Sequence, residues 1–267
     1  MLVGQVAAQQ LEFTPVSQQV LDERLKRAGG GNKQRGEALR KLFEEAGCPD
    51  FAAQAHKGLA LPNLLCTLAG EEKATIVVGA HYDKVPMGEG IIDDWSGAAL
   101  LPSLLESLRR SPRRLTFVFA GFSGEEEGLL GSKAFVKRMT PEDRLNVKAM
   151  IDIDCIGLGE TKIEVKQSDP KLVEAVARVA YATHLPVGVV NLGGVGLSDA
   201  ASFREVRVPT LEFHALTRDT LRLINGPRDR ARDLRLADYA DSYRLIGGVL
   251  AFVDLNWGAP DSEVYSK

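Results

Sequence analysis

The sequence predicts an α/β protein: a single domain with a mostly parallel, mixed and twisted sheet carrying helices on both faces. Three observations predict it. Short β-branched runs alternate with apolar helical patterns, the arrangement that yields parallel strands joined by crossover helices. The runs themselves, such as "TIVVG", are apolar at successive positions, as strands covered on both faces are. The 267 residues suffice for one large domain of this class.

The elements follow in order. Helical spacing is expected over Pro15 to Arg27 and over Gln34 to Ala46, where Leu39, Leu42, Phe43 and Ala46 recur on one face; the glycine break "GGGNK" separates the two. Residues 1–60 thus read as an N-terminal helical segment packed on the domain, which takes in all of 1–267. Strands are expected in "NLLCTLAG" (63–70) and "ATIVVGAHYD" (74–83). An apolar helix from Ser96 to Arg109 follows, its basic end suited to a helix C-terminus. The alternation then repeats: strand 113–122, helix 129–137, strand 147–157, helix 170–184, strand 208–216, and a closing helix from Leu234 to Leu255.

Composition narrows the function. Hydrophobic residues make up 45% of the chain and charged ones 26%, a globular balance, and no run approaches the roughly 18 apolar residues of a membrane span. A formal charge of −3 gives no electrostatic reason to expect nucleic acid or anionic lipid, which leaves small or peptide-sized ligands. Cys48, Cys66 and Cys155 are odd in number and widely spaced; they read as ordinary buried thiols rather than a disulfide framework or metal motif. The N-terminus "MLVGQVAAQQ" lacks the basic region and long apolar run of a signal peptide. Read as native it implies a cytoplasmic protein; read as the stump of a trimmed signal, an exported or periplasmic one.

In an open α/β sheet, ligands bind beyond the carboxyl ends of the strands, and the unusual polar residues fall there. His81 and Asp83 end one strand, and Asp93 and Asp94 lie in the loop after it. Glu125, Glu126 and Glu127 follow the next, Asp152 and Asp154 lie in "IDID", and His214 ends the last. Carboxylates gathered without cations repel each other until protons bind. A divalent metal removes that conflict, and one imidazole with several carboxylates suits zinc. A carboxylate between two cations can bridge them, and a spare one can act as general base. His56 and His184 have no acidic companions and read as structural.

These residues resemble the zinc-dependent aminopeptidases with two co-catalytic zincs, relatives of glutamate carboxypeptidase and glutaminyl cyclase. The resemblance runs from about Asn63 to the closing helix and rests on five motifs in order: "GAHYD", "DDWSGAA", "GEEEGLLGS", "IDID" and "SDAASF". It implies a zinc-exopeptidase fold in which His81 and Asp154 bind one zinc, Glu126 the other, and Asp93 bridges both. It implies that Glu125 is the general base, that Asp83 orients the His81 imidazole, and that the peptide bond between Asp93 and Asp94 is cis.

The departures set the expectations at the site. Asn225 stands in "INGPRDRARDL" where the family's final ligand histidine is expected, and an amide oxygen binds zinc weakly beside an imidazole. His214 is the second-ranked replacement. Ala200 occupies a frequent histidine position, and Trp95, where small residues are usual, is expected to narrow the substrate pocket. The leading expectation is a metallopeptidase with one or two zincs, hydrolysing N-terminal residues of a peptide or small amide by a metal-activated water, with Glu125 as base. The alternatives are a catalytically impaired homologue that binds metal or peptide, motivated by Asn225, and a glutaminyl-cyclase-like transferase.

Overall fold

Strand β3 (Thr75–His81) shows why the sheet is buried on both faces. Its Ile76, Val78 and Ala80 join one apolar cluster while Val77 turns into another, the alternation a pleated strand imposes. The computed structural model of the protein describes residues 13–192 and 198–257. The N-terminal stretch read above for an export signal lies outside the described residues.

Along the chain come α1 (Gln18–Leu25), α2 (Asn32–Glu45), β1 (Asp50–Gln54), β2 (Asn63–Leu68), β3, α3 (Ser96–Leu108), β4 (Thr116–Phe122), α4 (Leu130–Arg138) and α5 (Pro141–Asn146). Then follow β5 (Val147–Ile153), β6 (Thr161–Glu164), α6 (Pro170–Thr183), β7 (Val187–Val190), α7 (Ala200–Glu205), β8 (Thr210–His214) and α8 (Leu236–Asn256). The eight strands form one sheet in the order β1-β2-β4-β3-β5-β8-β6-β7. The central four, β4-β3-β5-β8, are parallel, and antiparallel pairs flank them at β2–β4 and β8–β6. The expected mixed sheet is therefore present, and all four central strands end at one edge.

The larger apolar cluster packs α1, α2, α3, α6 and α8 on one face, and the smaller one packs α4 and α7 on the other. Helix α3 lies in the middle of the larger layer, and Leu100, Leu101, Leu104 and Leu105 are fully buried. Each such side chain contributes about 1.5–3 kcal/mol by leaving water. Tyr239 of α8 donates its hydroxyl proton to the Ser96 carbonyl at 2.9 Å, fixing the start of α3. No helix among the described residues is long and apolar enough to cross a membrane.

Two sequence expectations change. Cys48 and Cys66 are not free thiols: they form a disulfide, Cα–Cα 5.9 Å, joining the turn after α2 to β2. Their spacing did not reveal this because the register of β1 on β2 brings Cys66 beneath that turn. Cys155 is the free, buried thiol expected. The sequence pattern does not predict strands β1, β6 and β7. Each has only four or five residues and lies in the outer part of the sheet, where the apolar run of a central strand is not required.

Candidate metal centre

The chemistry sits on the turns that follow the central strands. Gly90, at φ 64, opens a π-type turn over Ile91–Trp95 that delivers Asp93 and Asp94 beside His81, with a cis bond between the two aspartates. Asp94 is fully buried, and its Oδ1 accepts from Gly97 N at 2.8 Å, Cys155 N at 3.1 Å and Ser96 Oγ at 3.2 Å. It locks the turn to the start of α3 and the end of β5. Gly97 has to be glycine: a Cβ there would lie 2.2 Å from the Ile153 carbonyl oxygen.

His81 is 2% exposed and faces acceptors on both sides. Its Nδ1 lies 3.2 Å from the Asp83 main-chain oxygen, so Nδ1 carries a proton and donates. Nε2 faces the carboxylates, 3.0 Å from Asp93 Oδ1, 3.9 Å from Asp154 Oδ1 and 4.0 Å from Glu125 Oε2. The Asp83 carboxylate, 3.7 Å from Nδ1, instead accepts the Glu125 and Glu126 N–H groups at 3.2 and 3.3 Å. Asp83 thus orients the imidazole through its carbonyl and holds the glutamate loop through its side chain.

Ligand atoms of His81, Asp93 and Asp154 all lie within 4.8 Å of one another. Among the described residues, Asp154 Oδ1 and Glu126 Oε1 are buried without a hydrogen-bond partner. Orphaned buried oxygens in an imidazole–carboxylate set are what a cation would satisfy, so these residues fit zinc. A cavity of about 540 Å³ opens on the group, and its walls include Glu125, Glu126, His214 and Asn225. Asn225 therefore shares the cavity, with its backbone at φ 55.

Burial is the main cause of the shifted acidities, with neighbouring carboxylates adding to it. The Glu125 carboxyl is pushed up to about 9, and those of Glu126 and Asp154 to about 7. Each is protonated more readily in the fold than in the unfolded chain. The stability it contributes is therefore full below its unfolded pKa, near 4, and is lost as pH rises through its folded value. Metal-free protein is expected to melt at a higher temperature at about pH 5 than at about pH 8.5, and added zinc to raise the melting temperature more at the upper pH. Calorimetry with and without zinc checks this; an equal zinc effect at both pH values would contradict the clustering.

Two expected site residues are corrected. Trp95 does not line the cavity: it is fully buried, its indole N–H donates to the Arg24 carbonyl at 3.3 Å, and the Arg35 guanidinium lies 5.2 Å from its ring. The residue after Asp94 points back under α1 and α2. His214 does line the cavity, but Leu216 N–H donates to its Nδ1 at 3.0 Å. That bond places the ring proton on Nε2 and leaves neither nitrogen a free lone pair for a metal.

Sequence reasoning missed two supports, Asp229 and Arg35, and one buried carboxylate, Asp199. Asp229 is buried and accepts from Ile92 N at 2.7 Å and Asp93 N at 3.4 Å, holding the aspartate turn from a distant loop. Arg35 is fully buried on α2 and donates to the carbonyls of Tyr82 and, at 2.9 Å, Gly90. Asp199, in "SDAASF", has a buried Oδ1 with no hydrogen-bond partner among the described residues. Asp229 and Arg35 sit in charged, surface-like stretches that carry no signal of burial.

Comparison with known proteins decides the family. Residues 63–246 match the sequence pattern described as Peptidase family M28. The chain belongs to that family. A "Probable leucine aminopeptidase" of Arthroderma benhamiae is 28% identical over 211 residues, covering 73% of this chain and 59% of that protein. The chain thus spans under two thirds of that relative's length. Two solved structures share the fold: the LapA aminopeptidase of Legionella pneumophila (TM-score 0.74, 21% identity, 88% of this chain and 70% of that one) and a glutaminyl cyclase of Fimbriiglobus ruber (0.75, 18%, 93% and 99%).

Proposed function

We propose that this M28 chain is a zinc-dependent exopeptidase, an aminopeptidase that releases N-terminal residues from peptides. The observation that carries the reading is the buried convergence of His81 Nε2 with the Asp93 and Asp154 carboxylates, one oxygen of Asp154 having no hydrogen-bond partner among the described residues. His81, Asp93 and Asp154 would hold one zinc, and Asp93 with Glu126 would hold a second. Bound zinc would supply Lewis acidity there, polarising a scissile carbonyl and making water more acidic.

The chain's own groups do the rest. Glu125, with Oε2 4.0 Å from His81 Nε2, takes a proton from the attacking water and delivers it to the nitrogen of the leaving amine. Asp83 keeps Glu125 in reach through its bond to the Glu125 N–H. Asp94 and Asp229 hold the turn that presents Asp93.

Asn225 on the cavity wall favours a second reading, in which the second metal position is weak and turnover is impaired. Asn225→His is expected to raise zinc content from about one toward about two per chain by elemental analysis. Unchanged stoichiometry would contradict the placement of Asn225. The disulfide between Cys48 and Cys66 supports export over a cytoplasmic location.

Zinc-reconstituted protein assayed with aminoacyl-anilides and glutaminyl peptides tests the reading. Hydrolysis of the anilides is expected. Bound zinc without turnover would favour the impaired homologue, and cyclisation without hydrolysis a transferase. Failure to bind zinc above trace would defeat the enzyme reading.

A further inference from the structure

The family pattern covers residues 63–246, yet one turn of α2, which lies before it, grips the segment that builds the metal centre. Asn32, Arg35 and Leu39 recur at three and four positions and share a helix face. Leu39 is fully buried and, with Leu42 and Phe43, seats the helix in the larger apolar cluster. One turn back, the Asn32 side chain brackets Lys84, donating to its carbonyl at 3.3 Å and accepting its N–H at 3.1 Å. Arg35, also fully buried, reaches further. Its Nε donates to the Tyr82 carbonyl, and its Nη1 donates to the carbonyls of Gly90 at 2.9 Å and Glu89 at 3.3 Å.

Those carbonyls lie beside the two halves of the candidate centre. Tyr82 follows His81, and Gly90 opens the turn that presents Asp93, so one planar guanidinium spans both ends of the loop separating the imidazole from the carboxylate. The Trp95 ring packs on it, 5.2 Å from the guanidinium carbon. Burial lowers the guanidinium pKa to about 10, so it stays cationic at neutral pH, and Asp94, Asp83, Asp229 and Asp93 supply the opposing charge. A fork of fixed N–H groups can hold two backbone segments at once; an ammonium on a flexible stem is a point charge and cannot. We infer that Arg35 is a positioning residue for the metal centre: it fixes the distance between His81 Nε2 and Asp93 Oδ1, 3.0 Å in this structure, and so makes the N-terminal helical segment part of the zinc site. This rests on the zinc site of the proposed function and not on its peptidase reaction.

The test is zinc affinity by calorimetry on the full chain, with nitrogen-edited NMR of the His81 ring in metal-free protein. Arg35→Lys keeps the charge and loses the fork, and it is expected to bind zinc about tenfold to a hundredfold more weakly than the wild type. Leu39→Ala, one turn along the same face, is expected to lower the melting temperature while binding zinc within about twofold of the wild type. In metal-free protein Arg35→Lys should shift the His81 ring nitrogens, and Leu39→Ala should leave them in place. Arg35→Gln serves the same comparison if Arg35→Lys does not fold. Wild-type zinc affinity in the Arg35 variant, equal weakening in Leu39→Ala, or unmoved His81 nitrogens in the Arg35 variant would overturn the assignment. Failure of the wild type to bind zinc would defeat the zinc site itself, and the metal-free NMR comparison would still decide whether Arg35 sets the geometry.

Discussion

Glu125→Gln is expected to lower kcat by about a thousandfold while leaving zinc content unchanged. The substitution keeps the shape of the side chain and the main-chain N–H that bonds to Asp83, so the loop stays in place. What it removes is a carboxylate that can accept a proton. In the metal-free protein burial pushes this carboxyl up to about 9, a shift that marks it as a site of proton exchange. On the proposed mechanism KM should change little, because Glu125 would act on the water rather than on the bound peptide. Steady-state kinetics and metal analysis on the same preparation check the result. Loss of zinc would make Glu125 a ligand, and retained kcat would place the base elsewhere.

His81→Ala is expected to abolish the stabilisation that zinc confers. With free zinc at a hundredfold over its dissociation constant, binding adds about 2.7 kcal/mol to the wild type. The variant loses the nitrogen whose lone pair the Asp83 carbonyl directs toward the carboxylates. Asp93 and Asp154 are then left as acidic oxygens with no imidazole. Thermal melts with and without zinc should show a clear upward shift in the wild type and none in His81→Ala. A zinc-induced shift of the same size in the variant would show that the metal binds elsewhere.

The central sheet was legible because its strands are apolar on both faces; Ile76, Val77 and Val78 announce burial without any periodicity. The site was legible for a related reason. His81 ends, and Asp93, Glu125 and Asp154 follow, strands that run parallel, so these residues converge at one edge. What hid was set by contacts between distant segments. Asp229 reaches the aspartate turn across 136 positions, and Arg35 comes from a helix whose pattern looks exposed. Trp95 misled because proximity in sequence to Asp94 says nothing about which side of a tight turn a side chain takes. The Cys48–Cys66 bond depends on strand register, which spacing alone does not specify.

Anomalous diffraction at the zinc edge from crystals of zinc-loaded protein shows whether His81, Asp93 and Asp154 form a zinc centre. A peak is predicted within coordination distance of His81 Nε2 and of the Asp93 and Asp154 carboxylates, at about 2.0–2.2 Å from each. Zinc-loaded crystals with no peak among these three residues would contradict it.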